Sequence, residues 1–134
     1  MYLLDTNVIS ELRRVRPHGA VLAWLGAAAD AQLRLSAVTI GEIQRGIEIA
    51  RANDPRRAGE LERWLAEVEQ TWSVLPMSGA CFRTWARLMH RRSPVLARDA
   101  MIAATALVHG LRVATRNVRD FETFDVDLVD PFAA

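Results

Sequence analysis

Tyr2-Leu3-Leu4-Asp5-Thr6-Asn7-Val8-Ile9, residues 2–9, is the stretch whose reading decides the fold. Three consecutive apolar residues read as a short buried strand, and the run stops at an acid followed by two residues that favour turns and helix starts. Thr6 or Asn7 can cap a helix that continues through Val8, Ile9 and Leu12. A buried strand passing straight into a helix is the opening unit of an α/β domain.

The rest of the chain repeats that unit. A helix over 18–29 carries Val21, Leu22, Trp24 and Leu25 on its apolar side, and 32–36 is the next strand. Thr39 is expected to cap a helix with Ile40, Ile43, Ile47 and Ala50 on one stripe. The charged stretch 53–57 reads as a loop, followed by a helix with Leu61, Trp64, Leu65 and Val68 at helical spacing. A short strand at 73–75 precedes a helix over 79–92 with Phe82, Trp85, Ala86 and Met89 inward, broken by Ser93-Pro94. Residues 97–109 form a helix with Ile102, Ala103, Ala106 and Leu107 as core, closed by Gly110. Strands at 111–115 and 127–129 complete the pattern. The expectation is a single α/β domain over residues 1–134, with a mainly parallel central sheet of four to five short strands flanked by helices.

Composition narrows the function. The 134-residue chain is 51% hydrophobic, which argues against intrinsic disorder. All 17 basic residues are arginine, with no lysine, although the net charge is only +1. The single Cys81 excludes an intrachain disulfide, and His18, His90 and His109 lack zinc-like spacing. The start of the chain does not resemble a signal peptide, and the longest weakly polar stretch, 19–29, is too short to span a bilayer. A soluble, cytoplasmic protein without membrane attachment is expected.

In open α/β sheets, sites form outside the carboxyl ends of the strands. Asp5 falls there, Glu42 lies in the first turn of the helix after the second strand, and Asn117 and Asp120 follow the fourth strand. Asp99 is spaced three, four and seven residues before Ile102, Ala103 and Ala106, on or beside a buried stripe, where a carboxylate is costly unless paired or metal-bound. Each acid alone has a plainer reading. Asp5-Thr6-Asn7 can be a turn and cap, Glu42 a first-turn acid facing the helix dipole, Asp99 a partner of Arg98 or another arginine, and Asp120 a loop residue. Together they fall on one edge, and clustered carboxylates call for a divalent cation. An all-oxygen set suits Mg²⁺ or Mn²⁺ rather than zinc.

Four blocks then resemble a known family: residues 4–11, 35–42, 99–106 and 113–121 are similar, in order, to PIN-domain proteins, and most of all to VapC and FitB-type toxins of bacterial toxin–antitoxin pairs. The resemblance implies a parallel sheet flanked by helices and a Mg²⁺-dependent endoribonuclease that cuts RNA, often tRNA or rRNA. It also implies a homodimer silenced by a cognate antitoxin, in a heterotetramer or larger assembly. Asp5, Glu42 and Asp99 match the family's regular acids and would be its metal ligands. The fourth acidic position holds the neutral Asn117, which can still hydrogen-bond a water or a phosphate. Either Asn117 or Asp120, one helical turn later, would complete the cluster, and Asp120 is the acid that joins Asp5, Glu42 and Asp99 in the catalytic set. Thr6, Asn7, Thr115, Arg116 and Asn117 would support the acids or the substrate. Water, not the ribose 2′-OH, would attack the phosphodiester.

RNA also requires a positive approach surface. From Gln70 to Arg98 there is no acid, and Arg83, Arg87 and Arg91 repeat every four residues, as on one helix face. Arg45, Arg51, Arg56 and Arg57 form a second basic group. A solvated, partly paired face explains both groups equally well. A receiver domain or a haloacid-dehalogenase-type phosphatase is disfavoured, because the chain has no lysine and has Asn7 where the phosphatase needs a second aspartate. The alternative to a nuclease is a non-catalytic PIN-like module that binds RNA or protein.

Overall fold

The computed structural model describes residues 1–133. Its sheet contains β1 (Tyr2–Leu4), β2 (Leu33–Ser36), β3 (Ser73–Leu75), β4 (Arg112–Ala114) and β5 (Leu128–Val129). The order is β3-β2-β1-β4-β5 and every neighbouring pair is parallel. The chain winds outward from β1 to β3, then crosses back to lay β4 against the free side of β1. That reversal opens a crevice at the carboxyl ends of β1 and β4.

The helices are α1 (Thr6–Ile9), α2 (Gly19–Ala27), α3 (Ala37–Asn53), α4 (Pro55–Thr71), α5 (Gly79–Met89), α6 (Ala97–His109) and α7 (Val118–Glu122). They cover both sheet faces because β1 alternates. Leu4 packs with Val8, Ile9, Val21, Ile47 and Leu65 on one side. Leu3 packs with Ile102, Ala103, Val113 and Phe121 on the other. Among the described residues no helix is long and apolar enough to cross a membrane.

Several element boundaries depart from the sequence reading. Asp5 itself caps α1, its side chain accepting from the Thr6 N–H, so neither Thr6 nor Asn7 is the cap. Ser36 caps α3, and Thr39 is buried inside that helix. The 53–57 stretch is no loop. Asp54 alone separates α3 from α4, accepting from the Arg57 N–H at 3.1 Å, while Pro55 takes the first helical position, where its missing N–H costs nothing.

Helix α5 stops at Met89, so Arg91, at φ 61°, is not part of the face that Arg83 and Arg87 share. Its inward residues are Cys81, Trp85, Leu88 and Met89; Phe82 is 45% exposed and Ala86 is also outside. Leu107, expected in the core, is 40% exposed, and Ala104 and Thr105 are buried instead. Residues 118–122 form the short helix α7, so Asp120 lies in a helix rather than a loop. Trp24 and Trp64 pack against one core and Trp85 against the other, as expected, and Trp72 joins the first.

Candidate functional site

Asp5 follows the last residue of β1, and its N–H continues the sheet by donating to Ala114 O at 2.9 Å. Its carboxylate is completely buried. Oδ1 accepts from the Thr6 N–H at 2.8 Å and from Arg98 Nη1 at 3.1 Å. Oδ2 accepts from the Thr115 hydroxyl at 2.8 Å and from Asn7 Nδ2 at 3.3 Å. A buried carboxylate is tolerated because four donors replace its water.

Glu42 lies in the second turn of α3, not the first as the sequence suggested, because α3 already starts at Ala37. It is half-buried, with Oε1 accepting from the Thr6 hydroxyl at 2.8 Å. Its Oε2 lies 2.8 Å from Arg98 Nε. Asp99, in the first turn of α6, has Oδ1 2.9 Å from Arg98 Nη1. The three acids expected at one edge are therefore brought together, and they converge on one guanidinium. Three carboxylates facing one guanidinium leave an excess of negative charge. Burial pushes the Glu42 carboxyl above its ordinary range, with the Asp5 charge adding to it against the lowering effect of Thr6 and Arg98. Burial likewise pushes Asp99 up, opposed by Arg98 but reinforced by Asp5, Asp120 and Glu42.

Around this cluster, the hydroxyl of Thr115, which follows β4, serves three partners, donating to Asp5 and accepting from the Asn117 N–H at 2.9 Å and from Asn7 Nδ2 at 3.5 Å. Asn7 binds Asp5 through its amide nitrogen and accepts from the Arg116 N–H at 3.2 Å. Arg116 therefore contributes a backbone group here, while its guanidinium stacks 4.7 Å from the Phe132 ring. Asn117 precedes α7 and makes no side-chain cap. Asp120 is an exposed residue in the first turn of α7, and its charge is felt at Asp99. Arg98 is the residue whose place the sequence did not reveal. It could be read as an approach-surface cation or as a partner of Asp99, but not as the common partner of three acids.

Among the described residues no group of three His, Cys, Asp or Glu side chains stands in a metal-ligating arrangement. The donor chemistry nonetheless suits a hard divalent ion, since Asp5, Glu42 and Asp99 offer carboxylate oxygens and the Thr6 and Thr115 hydroxyls beside them are oxygen donors as well. A cavity of about 310 Å³ opens beside the site, running from Thr6 and Glu42 along α3 to Arg13 and Arg57.

Of the expected basic surfaces, the second is largely neutralised. Arg51 pairs with Glu48 and Glu62, and Arg56 and Arg57 pair with Glu60.

The sequence matches the PIN domain over residues 2–126. It is 39% identical to the VapC ribonuclease Y4jK of Sinorhizobium fredii, covering 98% of each chain. It is 33% identical to toxin FitB of Neisseria gonorrhoeae, covering 98% of this chain and 99% of that one. The crystal structure of FitAcB from Neisseria gonorrhoeae overlays with a TM-score of 0.90 across the whole of both chains, at 32% identity.

Proposed function

The chain belongs to the PIN-domain family, alongside VapC ribonucleases and FitB-type toxins, and from that premise we propose that it is a divalent-metal-dependent endoribonuclease acting as the toxin of a toxin–antitoxin pair. The observation that carries this reading is the fully buried Asp5 carboxylate, gathered with Glu42 and Asp99 around one cationic point at the carboxyl-terminal edge of the sheet. The substrate is RNA, of the structured tRNA or rRNA class. The cognate antitoxin is its silencing partner, in a heterotetramer or larger assembly built on a homodimer.

Asp5, Glu42 and Asp99 would hold Mg²⁺, with Mn²⁺ as its substitute. A divalent ion bound there supplies a water of lowered pKa and neutralises charge at the scissile phosphate. The protein's own part is orientation. Thr115, Asn7 and the Thr6 N–H fix the Asp5 carboxylate, and the Thr6 hydroxyl fixes Glu42, so neither acid has to reorganise during the reaction. Asp120 supplies a fourth negative charge from α7, and the neutral Asn117 acts through its backbone, holding the Thr115 hydroxyl.

The test is cleavage of purified tRNA and rRNA by the purified protein with Mg²⁺ or Mn²⁺. Wild type is expected to cleave, EDTA to stop it, and Asp5→Asn to lower the rate at least about 100-fold. If neither ion supports cleavage and Asp5→Ala is as toxic on expression as wild type, the nuclease reading is wrong. A non-catalytic PIN-like RNA- or protein-binding module then takes its place.

A further inference from the structure

Arg98 reaches all three acids. Nη1 bridges Asp5 Oδ1 at 3.1 Å and Asp99 Oδ1 at 2.9 Å, and Nε meets Glu42 Oε2 at 2.8 Å. Each of the three acids that would hold a cation thus has a carboxylate oxygen engaged by the guanidinium. The side chain is 33% exposed, so it lies at the mouth of the cluster and has solvent to swing into. Its backbone is fixed in the first turn of α6, which keeps it within reach of the site after it lets go. No other basic side chain makes an ion pair with Asp5, Glu42 or Asp99 among the described residues.

We propose that Arg98 is a tethered counter-cation that competes with the divalent ion for Asp5, Glu42 and Asp99, so that the metal-loaded and arginine-locked forms of the site exclude each other. The inference rests on the metal reading given above. Its physical basis is that a guanidinium held among the three carboxylates stabilises the metal-free protein by neutralising part of their repulsion. The same charge opposes a dication arriving at the same three carboxylates. Arg98 is thus a positioning residue, one that sets how much free metal is needed before the acids become available.

Mn²⁺ binding to the full-length protein, measured calorimetrically, tests this without relying on turnover. Removing one unit charge at ligand distance should tighten Mn²⁺ binding by Arg98→Gln about ten-fold or more relative to wild type. The same variant should be less stable than wild type without metal and gain more in Tm on adding Mg²⁺. The second measurement uses the wild-type fold itself. The Arg98 Nε–H resonance, assigned by its disappearance in Arg98→Lys, should be protected from solvent exchange without metal and lose that protection as Mg²⁺ is added. Equal or weaker Mn²⁺ binding by Arg98→Gln, or an Nε–H that stays protected at saturating Mg²⁺, overturns the competition while leaving the metal reading intact. Absence of Mn²⁺ binding by either protein overturns both.

Discussion

Asp99 shows how a residue can look stabilising in a list of contacts and still cost stability. It has an ion pair with Arg98 at 2.9 Å. Burial, together with the charges of Asp5, Asp120 and Glu42, outweighs that pair and raises its carboxyl above the ordinary aspartate range. Glu42 is raised in the same direction, chiefly by burial. A carboxyl raised on folding contributes stability that is complete below its unfolded pKa and is lost as pH rises through the folded value. In the metal-free protein, Asp99→Asn should therefore raise Tm at neutral pH, and the gain should vanish on acidification below the ordinary aspartate range. Thermal unfolding in EDTA across that range is the measurement; a variant less stable than wild type at neutral pH would mean that the Arg98 pair dominates. In the metal-holding role proposed above, Asp99 would serve function at a cost in stability, as at other sites where acids are crowded for chemistry.

At the scale of single elements, helix ends account for most of the boundaries that differ from the sequence reading. The approximate position of each long helix followed from its apolar spacing, but its cap did not. Ser36 and Thr39 are both good N-cap residues, and the strand β2 decides between them by holding Ser36 extended at φ −90°, ψ 143°. Asp54-Pro55 looked like a loop because proline and charge are common in loops. It is instead a one-residue break, since proline at the first helical position and an aspartate before it form a start signal. Gly110 is the boundary where both views agree. It closes α6 in the left-handed region at φ 66°, and an added Cβ would meet nothing within 4 Å. Gly110→Ala should thus cost about 1–2 kcal/mol from backbone strain alone. Urea unfolding would read this as a lower midpoint with an unchanged slope, because no packing is disturbed.

For the molecule as a whole, the order β3-β2-β1-β4-β5 puts the buried ends of β1 and β4 side by side, so residues at positions 5 and 115 share one hydrogen bond. The same packing leaves apolar surface outside. Phe82 on α5, and Leu107 and Val108 on α6, are 45%, 40% and 39% exposed, and the two helices pack against each other. Exposed apolar side chains on adjoining helices suit burial by a second copy of the chain. On the homodimer proposed above, Phe82→Asp is expected to shift the protein from dimer toward monomer in sedimentation velocity while leaving its circular dichroism unchanged. A wild type that sediments as a monomer at every concentration would remove this surface from consideration as a self-association face.

The amino-acid sequence by itself determined the alternation of strand and helix, the parallel sheet, and the edge at which Asp5, Glu42 and Asp99 gather. Those follow from local periodicity and from the rule that places sites at the carboxyl ends of parallel strands. It also carried the family resemblance that the match over residues 2–126 bears out. Only the tertiary structure decided that Phe82 and Leu107 face outward. A helical stripe has a period fixed by sequence, but how far it is rotated toward the core depends on the helix packed against it. Only the tertiary structure, too, put Arg98 in contact with all three acids. Its contact with Asp5 joins residues 93 positions apart. No local pattern specifies such a pairing, because it exists only once β1 and the start of α6 have been brought to the same end of the sheet.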